Sequence, residues 1–129
     1  MKRIFPALLA MLILLTGCKG ESVSNMSYQQ ITAEQAKTMM NEQPDAVILD
    51  VREQQEYDSG HIPNAVLLPV GSITEQTAAE VIPDKETVVL VYCRSGNRSK
   101  TASAALAELG YSKIYEFGGI KSWPYEIEQ

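Results

Sequence analysis

The chain has 129 residues, 11 Lys and Arg against 16 Asp and Glu, a formal net charge of −5 and 45% hydrophobic residues. That length suits one domain able to bury its own core, and the acidic balance argues against nucleic acid as a partner. With one histidine and two cysteines, one of them assigned below to lipid, no metal site with the usual ligand counts can be assembled, and no cofactor is expected.

The first segment reads as an export leader. Lys2 and Arg3 form a positive start, and Ile4 to Leu15 is an apolar run interrupted by Pro6, shorter than the roughly 20 residues that span a bilayer. Leu15-Thr16-Gly17-Cys18 resembles the lipobox of bacterial lipoproteins. That resemblance implies cleavage after residue 17, lipidation of Cys18, and anchorage at the extracytoplasmic face of a bacterial membrane. The other reading is an ordinary signal peptide cut elsewhere, with Cys18 left as a thiol. Cleavage leaves 129 less 17, or 112 residues, and loss of Lys2 and Arg3 leaves nine basic against 16 acidic residues, a net charge of −7.

Three segments are therefore expected: a leader over 1–17, a lipidated cysteine with a tether over 18–27, and a folded domain over 28–129. Lys19 to Ser27 is polar and aperiodic, a tether of at most about 30 Å at 3.3 to 3.6 Å per residue. Tyr28 to Ile31 reads as a short strand. Thr32-Ala33-Glu34-Gln35 is a capping box opening a helix with Ala36, Met39 and Met40 on one side, the methionines assigned to the core. Ala46 to Val51 is apolar except for Asp50, the pattern of a strand covered on both faces.

Gln54 to Ser59 can form a short helix, Gly60 to Ala65 a loop, and Val66 to Leu68 a third strand ended by Pro69. Ser72 to Ile82 is a weak helix, cut off by Pro83. Thr87 to Tyr92 is the clearest strand. Ser99 to Leu109 is the clearest helix, with Ala102, Ala105, Leu106 and Leu109 on one side and Gly110 as its stop. Ile114 to Phe117 makes a fifth strand before Gly118-Gly119 and a last turn around Trp123. The alternation predicts an α/β fold, an open, mostly parallel five-stranded sheet with helices on both faces and ligands at the carboxyl ends of the strands.

Cys93 lies at such an end. It opens Cys93-Arg94-Ser95-Gly96-Asn97-Arg98-Ser99 between the clearest strand and the clearest helix. A short loop there aims backbone N–H groups and the positive helix end at the sulfur, and two arginines follow. Such a setting lowers a cysteine pKa from about 8.5 into a range of roughly 3.5 to 7.5. If Cys18 carries lipid, no intramolecular disulfide can form, and Cys93 is the one free thiol of an exported protein. An inert core cysteine is the alternative, but a core position would not be followed by so polar a run.

From about Tyr28 to Trp123 the chain resembles a single-domain rhodanese of the sulfurtransferase family. Asp50-Val51-Arg52-Glu53 with Glu56 and Gly60-His61-Ile62-Pro63-Asn64-Ala65 is similar to that family's first signature. Cys93 to Ser99 is similar to its active loop, and Phe117-Gly118-Gly119-Ile120 through Trp123 to its C-terminal pattern. Asn64 departs from the Gly of many members, touching loop geometry more than chemistry. The resemblance implies a Cys93 persulfide as covalent intermediate, bound by the loop from Arg94 to Ser99. The spacing Cys-x4-Arg matches the six-residue loop of sulfur-transferring members, whereas related phosphatases and arsenate reductases have one residue more. Basic loop residues in that family go with thiosulfate, which makes thiosulfate the expected donor.

The other marked residues are given supporting roles. Asp50 and Arg52 are expected to form an ion pair bracing the loops, His61 to be a hydrogen-bonding loop residue, and Trp123 to be packing. Ser95 and Ser99 can offer hydroxyls to bound sulfur, and Ser99 equally suits a helix N-cap. Two functions stand: a membrane-tethered sulfurtransferase, or a non-catalytic persulfide carrier serving one docked partner. The acceptor is open among cyanide, a small thiol, a thioredoxin-like protein and a reductase.

Overall fold

The computed structural model describes residues 27–129, so the leader, Cys18 and nearly all of the tether lie outside the described residues. The elements in chain order are β1 (Gln29–Gln30), α1 (Ala33–Glu42), β2 (Val47–Asp50), α2 (Gln54–Ser59), β3 (Val66–Leu67), α3 (Glu75–Val81), β4 (Val88–Cys93), α4 (Asn97–Glu108) and β5 (Lys113–Gly119). The strands pair in the order β1-β5-β4-β2-β3, and every pairing is parallel.

The period-two alternation of β4 explains the two cores. Val89, Val91 and Cys93 face one side with Leu49, Val51, Ala78, Ala102 and Leu106. Leu90 and Tyr92 face the other with Ala36, Ile48, Ile62, Phe117 and Trp123. Apolar residues on both faces are what a parallel sheet covered by helices requires. Met39 and Met40 of α1 pack against the second cluster as expected, and Trp123 is part of it.

Chain direction then selects one end of the sheet. From β2 the chain moves to β3 at one edge, whereas from β4 it crosses through α4 to β5 on the other side. The carboxyl ends of β2 and β4 therefore flank a crevice at the point where connections diverge, where open α/β sheets bind ligands. Asp50 ends β2 and Cys93 ends β4.

Two helices start at other residues than the sequence predicts, and each ends one residue earlier. α3 starts at Glu75, because Thr74 and Thr77 form a reciprocal cap and Val70–Ser72 is a separate 3-10 turn. α4 starts at Asn97, capped by Gly96, so Ser99 sits inside the first turn and is not the N-cap. Asn64 adopts φ 72°, a left-handed conformation that Asn tolerates and Gly adopts freely. At this position Asn and Gly thus meet the same backbone requirement.

Candidate active site

Gly96 turns the chain at φ 112°, bringing the start of α4 back over the end of β4. The Gly96 N–H then donates to Cys93 Sγ at 3.0 Å and the Ser99 N–H at 3.3 Å, while Ser99 Oγ lies 3.4 Å from the sulfur. Cys93 is 1% exposed. Burial pushes its thiol pKa up, but the Ser99 hydroxyl and the N–H groups of Ser99, Gly96 and Ser95 outweigh that, and the result lies below the ordinary value. The partial positive charge at the start of α4 acts in the same direction.

The loop side chains divide by role. Arg98 forms a two-pronged pair with Glu56 of α2, at 2.8 and 3.0 Å. Arg94 is exposed, makes no ion pair among the described residues, and lines an open cleft with Arg52, Glu56, Gly60, Ile120 and Ile127. Of the two loop arginines expected to face an anionic donor, Arg94 is therefore the one free to do so. Ser95 contributes its backbone N–H, and Lys100 Nζ donates to the Gly96 carbonyl at 3.2 Å. Asn97 opens α4 and its carbonyl accepts from the Thr101 hydroxyl.

The pair from Arg98 to Glu56 joins the loop to α2 and carries a pH dependence. The Arg98 hydrogen bonds hold the Glu56 carboxyl at about 2, against an ordinary 4.5. A carboxylate whose folded pKa is depressed adds stability that is complete above its unfolded pKa and lost as pH falls through the folded one. Thermal melting of wild type and Glu56→Gln is thus expected to differ at neutral pH, and the difference to vanish as pH falls from about 4.5 towards about 2. A gap that persists at the lowest pH would count against the pair, which is partly solvent-screened and of modest size.

Behind the loop, Asp50 and Arg52 form a buried pair. Arg52 Nε and Nη2 meet both Asp50 oxygens at 2.7 to 3.2 Å, and Nη2 also donates to the Gly60 carbonyl at 2.8 Å. Burial opposes the Arg52 charge, yet the Asp50 hydrogen bonds and charge hold the guanidinium pKa above its usual value. Tyr92 donates its hydroxyl to Asp50 Oδ2 at 2.6 Å and accepts from the Ile62 N–H at 3.1 Å. Burial, then the bond to Asp50, pushes the Tyr92 phenol far above its ordinary value, so it serves as a fixed donor. His61 stacks on Tyr57, with Nδ1 on the Tyr57 carbonyl at 3.0 Å.

Glu116 had no role assigned from the sequence, and Gly119 only a place in a turn. Glu116, 2% exposed on β5, accepts from the Ser99 hydroxyl and from the Gly118 N–H at 2.9 Å. It shares parity with Ile114, so a charge at a core-facing strand position was the available signal. Gly119 packs against the loop so closely that an added Cβ would stand 2.0 Å from the Arg94 carbonyl oxygen.

The parallel α/β sheet holds the Cys93 sulfur among converging N–H donors at the end of its central strand, a setting that suits a stabilised thiolate. The family model described as Rhodanese-like domain matches residues 32–125. The chain belongs to the rhodanese-like domain family. It is 36% identical over 99 residues to the thiosulfate sulfurtransferase GlpE of Coxiella burnetii, covering 76% of this chain and 89% of that one. With the thiosulfate sulfurtransferase PspE of Escherichia coli it shares 37% identity over 73 residues, covering 57% and 69%. A solved structure titled rhodanese with anions from E. coli superposes with a TM-score of 0.61 at 30% identity, over 65% of this chain and 98% of that one.

Proposed function

We propose that the protein is a sulfurtransferase that moves sulfane sulfur from thiosulfate to a thiol or cyanide acceptor through a persulfide on Cys93. The observation that carries this reading is the sulfur itself, buried at the carboxyl end of β4 and facing the Gly96 and Ser99 N–H groups at 3.0 and 3.3 Å. The thiolate attacks the outer sulfur of thiosulfate. A new S–S bond forms on Sγ, the donor's S–S bond breaks, and its electron pair leaves with sulfite. The persulfide keeps one negative charge, and the N–H groups of the loop are suited to bind it. An acceptor nucleophile then takes the terminal sulfur and returns the electron pair to Sγ, which gives ping-pong kinetics.

Thiocyanate formation from thiosulfate and cyanide tests this, with Cys93→Ser as the blank. Activity equal to the blank, in a protein that still gains one sulfur atom by intact mass, would favour the carrier reading, in which one docked partner takes the persulfide. The donor site is assigned to Arg94 in the cleft beside the loop. Arg94→Ala is expected to raise the KM for thiosulfate several-fold and to flatten its salt dependence, because a dianion responds to charge within about 8 Å at physiological salt. An unaltered KM and salt slope would remove Arg94 from donor binding.

The lipobox resemblance at Leu15-Thr16-Gly17-Cys18 supports a position on the extracytoplasmic face of a bacterial membrane, held by lipid on Cys18. Cys18→Ser is expected to move the protein from the membrane to the soluble fraction. Retention in the membrane fraction would reject the anchor.

A further inference from the structure

One buried ionisable group beside Cys93 has no part in the steps above. Glu116 is 2% exposed, and no Lys or Arg among the described residues pairs with it. A buried carboxylate without a cation is costly unless it is hydrogen-bonded or shares a proton. Its Oε2 faces the Ser99 hydroxyl and the Gly118 N–H. The same Ser99 Oγ lies 3.4 Å from Cys93 Sγ and 3.0 Å from the Gly96 carbonyl oxygen.

A hydroxyl has one hydrogen and two lone pairs. When the Ser99 hydrogen points at the Glu116 carboxylate, the Ser99 oxygen presents a lone pair to Sγ and can accept from a thiol S–H. When Glu116 carries a proton, it donates to Ser99, whose own hydrogen then points at a Cys93 thiolate. Both arrangements hold the same number of protons and differ by one concerted shift along Sγ, Oγ and Oε2.

On the sulfur-transfer reading above, we propose that Glu116 is the proton partner of Cys93, acting through the Ser99 hydroxyl. As the nucleophile forms, the Cys93 hydrogen passes to Ser99 Oγ and the Ser99 hydrogen to Glu116 Oε2. The sulfur lone pair then makes the bond to the outer sulfur of thiosulfate, and sulfite departs with the pair of the broken S–S bond. On discharge the acceptor bonds the terminal sulfur, the S–S pair returns to Sγ, and Ser99 relays the hydrogen back. Glu116 is thus a positioning residue for the proton, one atom removed from the reacting sulfur.

The other charged groups around the loop have different ties. Arg98 is held by Glu56 from α2, Lys100 by the Gly96 carbonyl, and Arg52 by Asp50 at the end of β2, while Arg94 faces the cleft. Two groups that interact by more than about one pKa unit lose their protons in two steps that belong to the pair. The test is therefore a pH titration of thiolate ultraviolet absorbance and of alkylation rate by iodoacetamide, on wild type, Glu116→Gln and Ser99→Ala.

Wild type is expected to gain thiolate in two steps separated by a plateau. Glu116→Gln, which keeps an acceptor oxygen but takes no proton, should show one step, with the alkylation rate rising about tenfold per pH unit below its midpoint. Ser99→Ala severs the same line from the other end and should also give one step, which keeps the test available if the Gln variant does not fold. A single step in wild type, or two steps surviving in either variant, overturns the proposal. Neither measurement needs a sulfur donor. Failure of the sulfur-transfer reading would appear separately, as no gain of a sulfur atom on thiosulfate treatment.

Discussion

Cys93→Ser is expected to lower thiocyanate formation by several orders of magnitude, to the level of the uncatalysed mixture, while the fold survives. The smaller hydroxymethyl side chain of this variant would sit among the same N–H donors, so packing around Val91 and Ala102 changes little, and the stability cost should stay near about 1 kcal/mol. Chemistry is lost for two reasons. An alkoxide is not accessible where a thiolate is, since the loop lowers a pKa that starts far higher for a hydroxyl. No S–O adduct can replace the persulfide that stores the sulfur between half-reactions. Steady-state thiocyanate assays, intact-mass spectrometry and thermal melting together read this out. A Cys93→Ser protein that still gains a sulfur atom from thiosulfate would remove Cys93 as the carrier of the transferred group.

Gly119→Ala is expected to damage the active loop from the opposite side. Its Cβ would stand 2.0 Å from the Arg94 oxygen, 2.3 Å from the Arg94 carbonyl carbon and 2.6 Å from the Ser95 nitrogen. All three are backbone atoms, so no rotamer change can relieve the clash. Gly119 itself has φ −139°, which any residue adopts, so the requirement is one of space alone. Its neighbour Gly118 is the reverse case, with φ 91° and nothing near an added Cβ. Shifting the loop by about 1 Å should cost on the order of 100-fold in activity, and overpacking about 1–3 kcal/mol in stability. Gly118→Ala should cost only the strain of a left-handed residue, about 1 kcal/mol or somewhat more, with a smaller loss of activity. If Gly119→Ala retained wild-type turnover and a wild-type rate of Cys93 alkylation, β5 would not be what holds the loop in place.

Much of the fold could be read from periodicity. The five strands, the four main helices and the position of Cys93 where a strand hands over to a helix follow from apolar alternation, a capping box and a loop containing glycine. The helix starts at Glu75 and Asn97 were less legible, because Thr74 and Gly96 had to be recognised as caps in competition with nearby serines. Arg98 carried the same positive charge as Arg94 in the sequence, yet its partner Glu56 lies 42 residues away on α2, and only that contact separates the two arginines. The ion pair of Asp50 with Arg52 was foreseeable from two opposite charges at a strand end, whereas the Tyr92 hydroxyl that completes it comes from the neighbouring strand, where Tyr92 stands in register with Asp50.

A cysteine at the end of a buried strand, and a loop whose N–H groups turn back on its sulfur, were already written in the order of residues, since both depend on neighbours a few positions away. The surroundings of that sulfur came from long-range packing. β4 and β5 are parallel and joined through α4, with a register irregularity between Val91 and Cys93, and this brings Glu116 under Ser99 and Gly119 under Arg94. Such juxtapositions depend on strand order and register, which arise from the packing of the whole sheet, and no local pattern of residues encodes them.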